Sequence, residues 1–265
     1  MSNSQNSAAR IIAVVNQKGG VGKSTTAVNL GAALAVLGKR VLLVDIDPQG
    51  NTTTGVGVDR RELKRDVYDL LMHHSPIEDV LRPTEVPGLT VIPATINLAG
   101  AEIELVTALS RENRLKTVLA SIADRYDFTL IDCPPSLGLL TVNAMTAAKE
   151  LIIPVQAEYY ALEGLSQLTT IIRRIKDALN PELLISGVLV TMFDGRTKLA
   201  VEVLEELNAY FPRQLFKTQI PRNIRLSEAP SFGKPVILFD VKSRGAQAYL
   251  SLAKELLAPT TEGVA

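Results

Sequence analysis

The amino-acid sequence predicts an α/β fold, a single doubly wound and mostly parallel sheet flanked by helices. Three observations carry that reading. Short, almost wholly apolar runs recur along the 265 residues, as expected of strands covered on both faces. Helical segments alternate with them, the order of a βαβ fold. The first apolar run leads into a glycine-rich turn, Gly19-Gly20-Val21-Gly22-Lys23-Ser24, with an Ala- and Leu-rich helix directly behind it.

The elements follow in order. Ile11–Val15 is the first strand and Ala27–Leu37 a buried helix with few charges. Gly38-Lys39-Arg40 stops that helix, with basic residues at the negative end of its dipole. Val41–Val44 is a second strand ending in Asp45-Ile46-Asp47, and Pro48-Gln49-Gly50-Asn51 turns the chain away. Residues 52–100 are less regular, with a short helix expected over Asp66–Met72 and a strand over Leu89–Pro93. His73 and His74 fall at a polar helix end and are expected to be exposed. A helix over Arg111–Ala123 leads to the strand Phe128–Ile131, which closes on Asp132. Beyond it come a strand at Leu151–Val155, a long helix at Leu162–Leu179, a strand at Leu183–Met192 and a helix at Lys198–Tyr210. A last strand is expected at Leu215–Ile220, then a Pro-interrupted loop region over Pro221–Pro235 and a closing helix at Arg244–Leu257. No linker, internal repeat or low-complexity stretch interrupts the pattern. Residues 10–258 are therefore expected to form one domain between a polar tail at 1–9 and a flexible tail at 259–265.

Composition narrows the class. Hydrophobic residues make up 46% of the chain and aromatics only 5%, so Leu, Val, Ile and Ala must build the core. The single Cys133 excludes an intrachain disulfide and fits a reducing compartment. With no histidine near it in sequence, it reads as a small buried hydrophobe. Residues 1–9 lack the apolar segment of a signal peptide, and no apolar run approaches the ~20 residues that span a bilayer. A cytoplasmic protein is expected. Lys plus Arg and Asp plus Glu both total 28, giving zero net charge. That argues against a generally basic nucleic-acid binder and leaves room for a local patch.

The glycine-rich turn is where chemistry enters. Glycines let backbone N–H groups turn inward around an anion, and the helix N-terminus adds its positive dipole end. Lys23 is placed to reach the β- and γ-phosphates of a nucleotide, and the Ser24 hydroxyl to sit on Mg²⁺. The usual pattern is G-x-x-x-x-G-K-[ST], and this chain departs from it: Gln17 stands where the first glycine belongs, and an extra lysine, Lys18, precedes Gly19. A second lysine in so tight a loop calls for an anion to neutralise it. In an open α/β sheet the carboxyl ends of the strands line the ligand crevice, so Asp45 and Asp47 face the phosphates. An apolar strand ending in Asp132 has the shape of a Walker B element, whose carboxylate holds Mg²⁺ directly or through water. These features point to Mg²⁺-dependent binding of a nucleoside triphosphate and its hydrolysis.

Lys18-Gly19-Gly20-Val21-Gly22-Lys23-Ser24-Thr25-Thr26 is the deviant form of the Walker A motif, and with it the chain resembles the ParA/Soj family of chromosome-partitioning ATPases. The resemblance runs from about Ile11 to Leu257. It takes in Val44-Asp45-Ile46-Asp47-Pro48-Gln49-Gly50-Asn51, Ile131-Asp132-Cys133-Pro134-Pro135-Ser136 and Ile220-Pro221-Arg222-Asn223, in that order. It implies a P-loop NTPase fold of the deviant Walker A type, ATP and Mg²⁺ as ligands, and a face-to-face ATP dimer in which Lys18 reaches the partner's nucleotide. The implied ATP site comprises Lys18, Gly19, Gly20, Val21, Gly22, Lys23, Ser24 and Thr25, with Pro221 and Asn223 framing adenine. Ser24 and Asp132 are the implied Mg²⁺ residues. Lys18 and Asp47 are the implied catalytic pair, Asp47 positioning the attacking water. Asp45 is the weaker candidate, acting near Mg²⁺ or structurally. The family also implies weak hydrolysis stimulated by a ParB-like partner, non-specific binding to double-stranded DNA and a place on the nucleoid.

Between Arg213 and Arg244 seven basic residues stand against Glu228 and Asp240, an excess of five positive charges. Arg196 and Arg225 match arginines with which the family binds DNA, and Lys198 stands where an asparagine is usual. With few aromatics nearby, phosphate contacts are expected to dominate. Three other readings compete with this one. A membrane-associated positioning ATPase of the MinD type ends in a basic amphipathic helix, whereas this chain ends acidic and Pro-broken, so no membrane partner is expected. A P-loop metabolic enzyme needs a second-substrate pocket, for which no constellation is visible, and a reductase like the nitrogenase iron protein needs two cysteine ligands per subunit. The short N-terminus, without an added helix-turn-helix region, argues against operator-specific repression.

Overall fold

The computed structural model describes residues 9–158 and 161–258, so most of the two expected tails lies outside the described residues. Its strands are β1 (Arg10–Val14), β2 (Val41–Asp45), β3 (Arg82–Pro83), β4 (Leu89–Ile92), β5 (Phe128–Asp132), β6 (Glu150–Gln156) and β7 (Leu184–Thr191). They form one sheet in the order β3-β4-β2-β5-β1-β6-β7. Every pairing is parallel except β3 with β4. The expected sheet is present, with one short antiparallel edge that the sequence reading did not include.

The helices are α1 (Lys23–Val36), α2 (Asn51–Gly55), α3 (Val67–Met72), α4 (Leu98–Glu104), α5 (Arg114–Ala120), α6 (Leu139–Ala147), α7 (Ala161–Ala178), α8 (Lys198–Tyr210), α9 (Ile224–Glu228), α10 (Val236–Phe239) and α11 (Arg244–Leu257). The expected helices at Lys198–Tyr210 and Arg244–Leu257 match residue for residue. The helix expected over Arg111–Ala123 is shorter, ending in a separate 3-10 turn at Ala123–Arg125. Asp66 caps α3, its carboxylate accepting from Tyr68 N at 2.7 Å. His73 and His74 are exposed.

Alternation along the strands divides the core in two. Ala13, Leu42, Val44 and Ile131 face a layer built with α3 to α8, whereas Ile12, Val41, Leu43 and Leu130 face α1 and α9 to α11. Both faces are dry, which is why these strands read as continuous apolar runs.

The strand expected at Leu215–Ile220 is not one. Leu215 bridges Val188, and Pro221 bridges Phe193, as isolated contacts. Phe216 N donates to Val188 O at 3.0 Å and Ile220 N to Val190 O at 2.9 Å, but the backbone between them turns away from β7. The amides of Lys217 and Thr218 donate instead to the Glu255 carboxylate on α11, at 2.7 and 2.9 Å. A charged acceptor has displaced the ladder, and charge-assisted bonds to a carboxylate are the stronger ones.

Gly187 on β7 lies under Phe216: a Cβ built there would meet Phe216 Cε2 at 1.9 Å. Gly187→Ala is therefore expected to lower unfolding stability by about 1–3 kcal/mol through overpacking. Urea denaturation checks it, and adding Phe216→Leu should return part of the loss. Unchanged stability in Gly187→Ala would show that the ring moves freely.

Candidate nucleotide site

The glycine-rich loop is pinned before α1 begins. Asn16 Oδ1 accepts from Lys18 N at 2.9 Å while Asn16 Nδ2 donates to Pro154 O at 2.8 Å. Thr191 Oγ1, from β7, donates to Val21 O at 2.8 Å, and Val21 is buried behind the loop. Gly22 caps α1 with φ 90°, a left-handed conformation that glycine adopts without a Cβ penalty. The loop thus delivers Lys23 as the first residue of α1, with the amides of the first helical turn free for an anion.

Lys23 is buried, and its ammonium reaches back to donate to Lys18 O at 3.0 Å. Burial lowers its pKa, a shift opposed by Asp132, then by Cys133 and Asp47. Lys18 itself turns outward: its Nζ lies 2.6 Å from Glu158 Oε2, with both side chains half exposed. The two lysines of the motif therefore do different things, one inside the loop and one at its rim.

Asp45 and Asp132 are register partners on neighbouring strands, and both are fully buried. Burial raises both pKa values; Asp45 raises that of Asp132 further. Asp45 is saturated: it accepts from Thr53 N at 2.8 Å, Thr53 Oγ1 at 2.7 Å and Asp47 N at 3.1 Å. Of its two expected roles the geometry gives the structural one. Asp132 Oδ2 accepts from Thr52 Oγ1 at 2.7 Å, whereas its buried Oδ1 has no hydrogen-bond partner and Ser24 lies beside it. An unpartnered buried carboxyl oxygen next to a hydroxyl fits Mg²⁺, which needs only one or two protein oxygens beside phosphates and water. Thr52 and Thr53 were missed by the sequence reading; their only signal was the run Asn51-Thr52-Thr53-Thr54 after Asp47.

A cavity of about 880 Å³ opens above these groups. Gly19, Gly20, Gly22, Lys23, Ser24 and Thr25 line one end, and Asp47, Pro221 and Asn223 also contribute. Asp47 Oδ1 accepts from Gln49 N at 2.9 Å. Asn223 lines the cavity, while its Oδ1 is buried against Gly245 of α11, 3.2 Å from where a Cβ would stand there, and has no hydrogen-bond partner. Cys133 is buried, with its thiol pKa pushed well up by burial and by Asp132, which does not suit a nucleophile.

Arg196, Lys198 and Arg225 do not line this cavity. Arg196 is held by Asp194 at 2.6 Å, and Arg225 by Glu228 at 2.8 Å and Asp240 at 3.3 Å. The two acidic residues of the basic segment thus both pair with Arg225. That segment also carries an aromatic pair: Phe232, 64% exposed, packs on Phe239 at 5.0 Å between centroids, and the Arg225 guanidinium sits 5.9 Å from the Phe239 ring.

Known proteins resemble this arrangement closely. A family model described as an AAA domain matches residues 9–185. The sporulation initiation inhibitor protein Soj of Bacillus subtilis is 59% identical over 94% of this chain and 98% of its own length. The chain belongs to the Soj/ParA family of chromosome-partitioning ATPases. The chromosome partitioning protein ParA of Myxococcus xanthus is 54% identical, covering 94% of this chain and 88% of its own. Among solved structures, a cobyrinic acid a,c-diamide synthase from Mycobacterium smegmatis with bound ADP and magnesium is 39% identical, with TM-score 0.83 over 94% of each chain. The doubly wound P-loop fold is common to them. Among the described residues no helix is long and apolar enough to cross a membrane.

Asp132→Asn is expected to stabilise the nucleotide-free protein by about 1 kcal/mol, raising its melting temperature by about 2–4 °C, because it removes one of two adjacent buried carboxyls. The same variant should lose the Mg²⁺ dependence of nucleotide affinity. Calorimetric melting and nucleotide titration with and without Mg²⁺ check both; wild-type Mg²⁺ dependence would remove Asp132 from the metal site.

Proposed function

We propose that this chain is an Mg²⁺-dependent ATPase that works as an ATP-sandwich dimer on non-specific DNA to partition chromosomes or plasmids with a ParB-like partner. The observation that carries the nucleotide part is the unpartnered, buried Asp132 Oδ1 beside Ser24, next to a cavity that the phosphate loop, Lys23, Asp47, Pro221 and Asn223 line. Mg²⁺ would satisfy that oxygen, and the loop amides, Lys23 and the dipole of α1 would neutralise the phosphates of bound ATP. Ser24 and Asp132 would hold Mg²⁺, which would supply charge neutralisation to the bound phosphates. Asp47 stands beside the phosphate loop with one carboxyl oxygen oriented by Gln49 N, and it positions the attacking water.

Lys18 completes the partner's site. In the single chain its ammonium rests on Glu158, at a half-exposed position where an anion of higher charge density competes for it. The triphosphate of a facing subunit is such an anion, and a cation delivered in trans is worth several powers of ten in rate elsewhere. Family membership supports weak turnover alone, stimulation by a ParB-like protein and residence on the nucleoid. DNA contact falls to Arg196, Lys198 and Arg225; dimerisation doubles that set and makes binding ATP-dependent.

Lys18→Ala is expected to bind ATP, because Lys23 and the loop amides remain, but to stay monomeric with a slowly hydrolysed analogue. Size-exclusion chromatography reads this directly; a dimer of wild-type stability would contradict the trans role.

For DNA, Arg225→Ala is the cleaner variant, because a glutamate there would add a third carboxylate to Glu228 and Asp240. It is expected to lower duplex affinity about tenfold and to reduce the logarithmic salt slope by about one per protomer. Fluorescence anisotropy at several salt concentrations, with ATP and with ADP, measures both. Equal affinity in the two nucleotides would contradict the proposal.

A further inference from the structure

Arg60 lines the nucleotide cavity, and the mechanism proposed so far leaves it without a role. Its neighbour Arg61 takes up the Asp59 carboxylate at 2.7 Å, and Arg60 makes no salt bridge of its own among the described residues. Instead its guanidinium Nη1 donates to the main-chain carbonyl of Gln49.

The side chain reaches that carbonyl by crossing Gly50. A Cβ built at Gly50 would meet Arg60 Cδ at 2.6 Å, Arg60 Nη1 at 2.8 Å and Ala94 O at 2.9 Å. Gly50 also has φ +63°, so the turn is bare of side chain where the arginine passes. That turn carries Asp47. Gln49 N donates to Asp47 Oδ1 at 2.9 Å, and Gly50 N donates to Asp47 O at 2.8 Å. The residue whose N–H orients the Asp47 carboxylate is thus the residue whose C=O Arg60 holds. On its inner side the turn is tied by Asp47 N to the buried Asp45; on its outer side Arg60 is the tie.

We infer that Arg60 is a positioning residue for Asp47, clamping the Gln49 backbone so that the carboxylate keeps one orientation towards the attacking water. The inference rests on the water-positioning role proposed for Asp47. Without the clamp the nucleotide still binds, because Lys23 and the amides of residues 19–25 hold its phosphates, but Asp47 samples orientations off the line of attack. Small misplacements of this kind cost rate and leave binding intact.

The test uses the full chain with Arg60→Ala, Arg60→Lys and Asp47→Ala, measuring steady-state ATP hydrolysis with Mg²⁺, affinity for a fluorescent ATP analogue and thermal melting. Arg60→Ala should lose about tenfold in kcat, with nucleotide affinity and melting temperature close to wild type. Arg60→Lys, which can still donate to the Gln49 carbonyl, should recover much of the rate. Unchanged kcat in Arg60→Ala overturns the inference. So does a loss of nucleotide affinity as large as the loss of rate, which would make Arg60 a ligand contact. If Asp47→Ala itself turns over normally, the water-positioning reading fails and takes this inference with it. If Asp47→Ala is inactive and Arg60→Ala is fully active, only the Arg60 inference fails.

Discussion

Two carboxyl groups, Asp45 and Asp132, stand side by side and fully buried at the ends of adjacent parallel strands, and the rest of the site is arranged about that constraint. Burying a carboxylate is costly, and burial pushes both pKa values up; the neighbouring Asp45 raises that of Asp132 further. The chain answers the two differently. Asp45 receives three donors from α2 and its approach, whereas Asp132 receives only Thr52 and keeps one oxygen open. Adjacent threonines of one short helix serve the two acids. Asp132 and the Asp45 that holds the Asp47 turn thus share α2 as a common support.

That linkage has a second end. Behind α2, Gly57 lies against Gly233, so close that a Cβ on Gly57 would meet Gly233 O at 2.9 Å. Gly233 belongs to the segment that includes Arg225, Phe232 and Phe239. A close backbone contact thus joins the end of α2 to the basic, partly aromatic surface.

Much of this was legible in the sequence for a physical reason. A strand covered on both faces must be apolar throughout, so β1, β2, β5, β6 and β7 stood out, and the phosphate loop fell between the first strand and its helix. What escaped depended on partners distant in sequence. The run Leu215–Ile220 has strand composition, but Glu255, nearly forty residues on, takes the amides of Lys217 and Thr218. The edge strand Arg82–Pro83 is too short to show a period. Thr52 and Thr53 look like ordinary turn residues until the sheet register sets two acids beneath them, and Arg60 looks like a solvated charge until Gly50 lets it cross. Asp45 had two readings from sequence, and only its hydrogen bonds choose the structural one.

The central claim is that a competent site takes Asp47 from one subunit and Lys18 from the other. Mixing two inactive variants tests it most directly. Lys18→Ala and Asp47→Ala chains, combined in equal amounts with ATP and Mg²⁺, should hydrolyse ATP faster than the sum of the two alone, because one site of each mixed dimer then holds an intact Asp47 and the partner's intact Lys18. Turnover no greater than that sum, with mixed dimers demonstrated by cross-linking, would contradict the account.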